Sequence, residues 1–491
     1  MRRTKLVNTI GPASNSLENL RKVIAAGSDV LRLNMSHGTP SEKAAMVKDI
    51  RRIASEEHRT VAVLADLQGP KIRVACFKNE FVQLAEGADF VLDADLGRND
   101  GDEHQVGIDY RGLVDDVRAG DTLLLDDGRI VLEVTEVKSP KIFCKVKVGG
   151  ELSDHKGINR LGGGLSANAL TDKDREDLRL SVEADVDYIG ISFVRSEQDI
   201  FEARKLIKEH NGRSRIIAKI ERVEAIEPEV LRKIVIAADG IMIARGDLGV
   251  EIDAAKVPAA QRLMIAMAKK YHRPVITATQ MLETMIHSML PTRAEVSDVV
   301  NAVFDGTDAV MTSAETATGD HPIHVIKTMA HICEVADDEM VAALSQGQCP
   351  RANCPRPAVS CDCGCKNGCE TKEDLDDVAT EKLTKDAVKL ALAIKAKGII
   401  TFTHNGALAF RLSAHNKIVP IWAFTDDDRT QSSMVISRNL QSFLIAKLQL
   451  NSALDTLLSA KCVNAGDKVV VVELANDDAS ENCTTIYTAS V

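Results

Sequence analysis

Lys219 and Glu221 interrupt an apolar run, Ile216-Ile217-Ala218-Lys219-Ile220-Glu221, whose other members read as a buried strand. Residues two apart in a strand share a face. The ammonium and the carboxylate therefore point the same way, at the C-terminal end of the run. Other apolar runs end in the same manner. VLRLNMSHG offers Arg32, Asn34 and Ser36 on one face. LADLQGPKIR ends at Asp66, followed by Lys71 and Arg73. MIARGDLG gives Arg245 and Asp247, VITATQM gives Thr277 and Thr279, and the last run leads to Glu315. Carboxylates such as Glu221 and Asp247 suit Mg²⁺, a hard cation that takes oxygen ligands. Arg32, Arg73 and Lys219 suit phosphate oxygens. A single Arg or Asp at a strand end is ordinarily a solvated loop residue or half of a salt bridge. The convergence of several strand ends is what points to a phosphate-plus-metal site.

Some scaffold must bring these ends together. Up to about residue 340, short apolar runs alternate with amphipathic segments such as SLENLRKVIAAG and SEQDIFEARKLIKEHNG, both of which end in Gly, a usual helix stop. This alternation predicts a parallel sheet. Eight runs are the count for an α/β (β/α)₈ TIM barrel, in which active sites lie at the C-terminal mouth of the strands. One connection, between LADLQGPKIR and DYIGISF, is far too long for a loop. Within it, DTLLLDDGRIVLEVTEV alternates, turns at Asp127-Gly128 and alternates again, as a β-hairpin should. The expected organisation is a catalytic barrel over 1–73 and 158–345, with a small inserted β-barrel lid over 74–157. A Cys-rich linker over 346–375 then leads to a three-layer C-terminal α/β domain over 376–491.

Composition narrows the partners. The chain of 491 residues has a net charge of -11 and only 3% aromatic residues, which argues against nucleic-acid binding by a basic face or by base stacking. No apolar run approaches the ~18 residues of a membrane span. The first residues show no secretory h-region, so a cytoplasmic location and no membrane partner are expected. Cys76, Cys144, Cys333, Cys462 and Cys483 read as scattered reduced thiols. Cys349, Cys354, Cys361, Cys363, Cys365 and Cys369 crowd into one segment, whose C-x-C-x-C spacing suits Zn²⁺ or softer metals; the plain alternative is a reduced linker.

The stretches NTIGPAS, RLNMSHG, ADLQGPKIR, AKIERVEA, ARGDLGVEI, ITATQMLETM, PTRAEVSDV, DGTDAVM and ETATGDHP resemble pyruvate kinase. LGGGLSANALT and VGIDYRGL are similar to the bacterial-type branch. The resemblance implies Mg²⁺-dependent transfer of a phosphoryl group from phosphoenolpyruvate to ADP, giving pyruvate and ATP, as at the last step of glycolysis. Mn²⁺ is an expected substitute. By the same resemblance Glu221 and Asp247 ligate Mg²⁺, and Lys219 lies beside the moving phosphoryl group. Arg32 holds the substrate phosphate. Thr279 and the backbone around Gly246 seat the substrate carboxylate, with Thr279 near the face where the enolate is protonated. Asn34, His37, Arg73 and Lys156 border the nucleotide. A homotetramer is expected, as is usual in the family.

Three features depart from the family pattern. Leu67, Gln68 and Lys71 stand where K⁺-requiring members carry Thr, Lys and Glu. A fixed ammonium at Lys71 would mimic the monovalent ion, so K⁺-independent activity is expected, although Asn34, Ser36 and Asp66 still match the family's K⁺ ligands. The phosphate loop of the C-terminal domain is here TFTHNGAL, and its closing loop is LANDDASENCTTIY. The Cys-rich segment is foreign to the pattern. Two rival readings follow: another Mg²⁺ and enolpyruvate barrel such as a mutase or class II aldolase, or a catalytically silent relative acting as a metal- or redox-sensing binding protein. The insert and the intact charged residues weigh against them.

Overall fold

The computed structural model describes residues 2–346, 348, 372–475 and 483–491. The six clustered cysteines, and with them the expected Zn²⁺ site, lie outside the described residues. Half of the altered closing loop, residues 476–482, does as well.

Eight parallel strands close into a barrel: Lys5–Ile10, Val30–Asn34, Ala62–Asp66, Tyr188–Ile191, Arg215–Ile220, Gly240–Ala244, Val275–Ala278 and Ala309–Thr312. Their near-continuous burial follows from helices covering the outside and side chains filling the inside. The interior is a packed layer of Val7, Val30, Leu64, Tyr188, Ile217, Met242, Ile276 and Met311. Two residues further along the same faces stand Arg32, Asp66 and Lys219. The charged residues are thus the next layer of the barrel interior, at its C-terminal mouth.

The two helices expected from Gly stops run Leu17–Ala25 and Glu197–Glu209. Gly27 takes the left-handed conformation after the first, at φ +111°. After the second that role falls to Asn211, at φ +55°, and Gly212 instead packs where a Cβ would meet Val182 at 2.7 Å. Asn tolerates the left-handed region nearly as Gly does.

Between the third and fourth barrel strands the chain forms a six-stranded sheet and a two-stranded one. Thr122–Leu125 pairs antiparallel with Ile130–Lys138 through the expected turn, with Gly128 at φ +87°. The chain leaves this unit through Gly162, Gly163 and Gly164, all at positive φ. A Cβ on Gly163 would lie 2.3 Å from Val223.

The C-terminal sheet has the order Leu440–Leu444, Ile421–Thr425, Gly398–Phe402, Lys468–Ala475, Cys483–Ser490, with only the last strand antiparallel. Its two faces carry separate cores, one with Ala387, Leu408 and Leu412, the other with Ala453 and Leu457. Helices therefore cover both sides. The sequence patterns missed its two edge strands, Leu440–Leu444 and Cys483–Ser490; the second of these is rich in Thr and Ser.

This unit closes the bottom of the barrel. Val435 and Ile436 enter the barrel's interior core. Arg438, 1% exposed, gives Nη2 to Asp337 Oδ1 at 2.5 Å and Nη1 to Thr4 Oγ1 at 2.9 Å. Asp337 also accepts from the backbone N–H groups of Arg3 and Thr4. Cys76, Cys144, Cys333 and Cys462 are free thiols, and burial pushes Cys144 and Cys333 up to about 12. Among the described residues no helix is long and apolar enough to cross a membrane.

Arg438→Met should strand Asp337 as a buried charge and cost about 3–5 kcal/mol. Chemical denaturation of the full chain reads this as an earlier first transition; an unmoved midpoint would contradict the assignment.

Candidate active site

Lys219 sits at the centre of the mouth. Its Nζ lies 3.1 Å from Asp66 Oδ1 and 3.1 Å from Glu221 Oε1, and donates to Ser192 Oγ at 2.7 Å. Ser192 Oγ in turn donates a hydrogen bond to the Leu67 carbonyl at 2.7 Å. Arg32 donates Nε to Asp66 Oδ2 at 2.6 Å and Nη1 to Thr9 Oγ1 at 2.9 Å. The backbone N–H of Phe193 donates to Glu221 Oε2 at 2.6 Å. Lys71 approaches from the side of the insert, with Nζ 3.0 Å from Asp247 Oδ1 and 3.9 Å from Asp127 of the inserted hairpin.

Local structure explains these positions. Register puts Asn34 and Gly190 beside Asp66 on the neighbouring strands. A Cβ at Gly190 would stand 3.2 Å from Asp66 Oδ1, so glycine leaves the carboxylate its room. Gly69 turns at φ +69°, and a Cβ there would meet Ser192 Cβ at 2.6 Å. Thr279 holds φ +67°, an outlier for a β-branched residue. Its Oγ1 accepts from Gly246 N–H at 2.9 Å and donates to the Ala278 carbonyl at 2.7 Å. Arg245 braces the same turn through the Thr279 carbonyl at 2.7 Å and Asp298 at 2.8 Å.

Burial favours the neutral form of Lys219, Asp66 and Glu221 alike. For Lys219 it is outweighed by Asp66 and Glu221, which hold the ammonium above its usual range. For Asp66, likewise, Lys219 and Arg32 overcome burial and keep the carboxyl low. Glu221 goes the other way: burial, aided by the charge of Asp247 and opposed by Lys219, pushes it up. Glu221 and Asp247 are thus two mutually repelling carboxylates at adjacent strand ends, an arrangement a divalent cation relieves. This all-oxygen pair fits Mg²⁺.

The structure gathers Arg32, Asp66, Lys219, Glu221 and Asp247, with Gly246 and Thr279 beside them. It does not gather the nucleotide candidates in the same way. Arg73 donates Nη1 to the His155 carbonyl at 2.7 Å, Lys156 pairs with Asp126 at 2.8 Å, and His37 is exposed. Asn34 accepts from Ser36 N–H at 3.0 Å, close by the rim. Ser192 and Thr9 escaped the sequence reading, although Ser192 lies near the end of its run, DYIGISF, on the face of Tyr188 and Gly190, by the same rule that singled out Lys219.

A family model described as "Pyruvate kinase, barrel domain" matches residues 1–326, and one described as "Pyruvate kinase, alpha/beta domain" matches 381–486. The chain belongs to the pyruvate kinase family. It is 42% identical to a protein of Salmonella typhimurium named pyruvate kinase II, over 99% of each chain. It is 49% identical to the pyruvate kinase of Haemophilus influenzae, over 68% of this chain and 70% of the relative. The crystal structure of a pyruvate kinase from Cryptosporidium parvum superposes with a TM-score of 0.87 at 30% identity, covering 99% of this chain and 96% of the other. The chain is therefore an enzyme of the phosphotransferase class, and the reading as a silent binding protein has no support.

Gly69→Ala should push Ser192 aside and take an acceptor from Lys219. We expect kcat for pyruvate formation to fall by at least about tenfold with unchanged circular dichroism. Wild-type kcat in a folded variant would show that the Gly69–Ser192 contact does not set the position of Lys219.

Proposed function

We propose that the charged mouth is where this pyruvate kinase moves the phosphoryl group of phosphoenolpyruvate to ADP, with Lys219 as the central catalytic group. The observation that carries the reading is the ammonium held between two buried carboxylates, 3.1 Å from each. Phosphoryl transfer asks an enzyme for positioning and for charge stabilisation more than for covalent help. Lys219 stabilises negative charge on the group in transit. Arg32, pinned by Asp66 and Thr9, grips the substrate phosphate. Thr279 and the Gly246 backbone seat the substrate carboxylate. Glu221 and Asp247 would hold Mg²⁺, with Mn²⁺ as a substitute. When bound, the metal supplies charge neutralisation for the phosphate oxygens.

Counting charge supports the need for that cation. Arg32, Lys71 and Lys219 are matched by Asp66, Glu221 and Asp247. The rim thus has no positive surplus to offer two anionic substrates. Asn34, His37, Arg73 and Lys156 border the nucleotide in this proposal, and the insert closes as a lid that excludes water. Arg73 and Lys156 exchange their present partners on closure. The domain limits 1–73 with 158–345, 74–157 and 376–491, the homotetramer and the cytoplasmic location belong to the same proposal.

Lys219→Met removes the ammonium while keeping the length of the side chain. Pyruvate formation should drop by about 10²–10³-fold or more, with the secondary structure retained. Activity within a few-fold of wild type would remove Lys219 from the mechanism.

Lys71 carries the second proposal. Its ammonium already stands at the rim, on Asp247, so the enzyme needs no K⁺ even though Asn34, Ser36 and Asp66 match the family's K⁺ positions. Full activity is expected in a buffer with only bulky organic cations. Lys71→Glu should make the rate depend on added K⁺. Strong K⁺ stimulation of the wild type would overturn this reading.

A further inference from the structure

At the end of the barrel away from the mouth is a cluster that phosphoryl transfer does not use. His272 lies between the helix Val257–Lys270 and the seventh barrel strand, which begins at Val275. Glu381 belongs to the helix Lys372–Ala393, and His415 ends the helix Ala407–His415. The two oxygens of Glu381 are divided between the rings: Oε2 is 2.7 Å from His272 Nε2, and Oε1 is 2.8 Å from His415 Nε2. The two Nε2 atoms are 3.2 Å apart. The rings cross at 71°, so their edges converge rather than stack. Among the described residues this is the single trio of His, Cys, Asp or Glu whose ligand atoms all lie within 4.8 Å of one another.

Hydrogen bonding always leaves one contact of this arrangement unsatisfied. A neutral imidazole has one N–H. If both Nε2 atoms donate to Glu381, each N–H meets its own oxygen and the 3.2 Å approach of the two nitrogens is left without a hydrogen bond between them. If one ring donates to the other, Glu381 faces a bare lone pair. A cation at the centre takes all three sets of lone pairs. With Zn–N bonds of ~2.0–2.1 Å and tetrahedral angles, two nitrogens on one ion stand about 3.3 Å apart, close to the spacing seen. The carboxylate oxygens need withdraw by only about half an ångström. Burial lowers His272. A neutral imidazole and an ionised carboxylate are the forms a metal requires. Among the described residues Lys385 Nζ competes at 3.0 Å from Glu381 Oε1, with a half-exposed stem that can turn to solvent, and the charge of Arg411 also acts on His272.

We infer that His272, Glu381 and His415 form a binding site for a divalent transition-metal ion, Zn²⁺ by class, that staples the C-terminal unit to the base of the barrel. Two imidazoles and a carboxylate favour such an ion over Mg²⁺. Because one ligand comes from the barrel and two from the C-terminal unit, the bound ion ties the two together.

The test uses the full chain, stripped with a chelator and returned to saturating Mg²⁺ so that the oxygen site at the mouth is occupied. Co²⁺, whose visible bands report ligand type, is titrated in parallel into wild type and H272A/H415A. Zn²⁺ is followed by elemental analysis and thermal melting. The wild type should bind one more equivalent than the variant. The difference spectrum should lack thiolate charge-transfer bands, which the clustered cysteines would produce. Zn²⁺ should raise the Tm of the wild type by more than that of the variant. Should H272A/H415A not purify in folded form, E381Q, nearly equal in size, takes the same measurements. Equal equivalents in wild type and variant overturn the inference. Pyruvate formation is not the readout, so the outcome is separable from that of the Lys219 experiments.

Discussion

The structure depends on one arrangement: an ammonium taken out of bulk water and held between the carboxylates of Asp66 and Glu221. Each contact is worth about 5 kcal/mol at an effective dielectric near 20. Desolvation of the three charges consumes much of that gain, and a buried pair of this kind adds little net stability. What the arrangement supplies is position. Ser192 Oγ accepts a hydrogen bond from the ammonium, Phe193 N–H fixes the far oxygen of Glu221, and Arg32 fixes the far oxygen of Asp66. Every partner is itself tied to backbone or to another side chain, so the charges need no reorganisation when a phosphate arrives.

The barrel is what makes such a cage possible. A strand alternates its side chains between interior and exterior. Val30, Leu64 and Ile217 fill the interior at one level, and Arg32, Asp66 and Lys219 occupy the next level up. Three segments far apart in sequence thereby deliver their charges to one plane without a loop having to hold them. Apolar packing below supports charge above.

That geometry also decides what was legible beforehand. The alternation of runs and helices announced eight parallel strands, and the period-two rule at strand ends found Lys219, Glu221, Asp66 and Arg32. The same rule applied to DYIGIS would have found Ser192. What no pattern announces is contact between distant segments. Gly69 reads as a turn residue, and only coordinates show it leaving space for Ser192. Asn211 in place of Gly212 at a helix end is a choice between two residues that both tolerate positive φ. In the C-terminal sheet, Leu440–Leu444 and the Thr- and Ser-rich strand Cys483–Ser490 lie at the edges, where one-sided pairing weakens the apolar signal that a central strand such as Lys468–Ala475 carries. Identification of the partners of Arg73 and Lys156 required the insert's own fold, since both are ligated by residues of that unit.

The two ends of the barrel do different work. At the mouth, buried and part-buried charges wait for substrates. At the base, Asp308 accepts from the Arg438 backbone at 3.0 Å, Asp187 receives Arg429 at 3.1 Å, Lys5 donates to the Leu440 carbonyl at 2.7 Å, and Val435 and Ile436 plug the interior. The C-terminal unit also reaches strands that carry the cage, at their opposite ends: Arg215 donates to the Asn405 carbonyl at 2.6 Å, and Gln431 donates to Thr60, just before the third strand, at 3.1 Å. Val435 and Ile436 belong to one apolar cluster with Ile217 and Leu64, which lie one step below Lys219 and Asp66. A close-packed interior transmits a displacement rather than absorbing it. The rigidity of the base joint therefore bears directly on the spacing at the mouth, and a metal between His272 and His415 would act on catalysis only by that route, through the packing of the barrel and not through its charges.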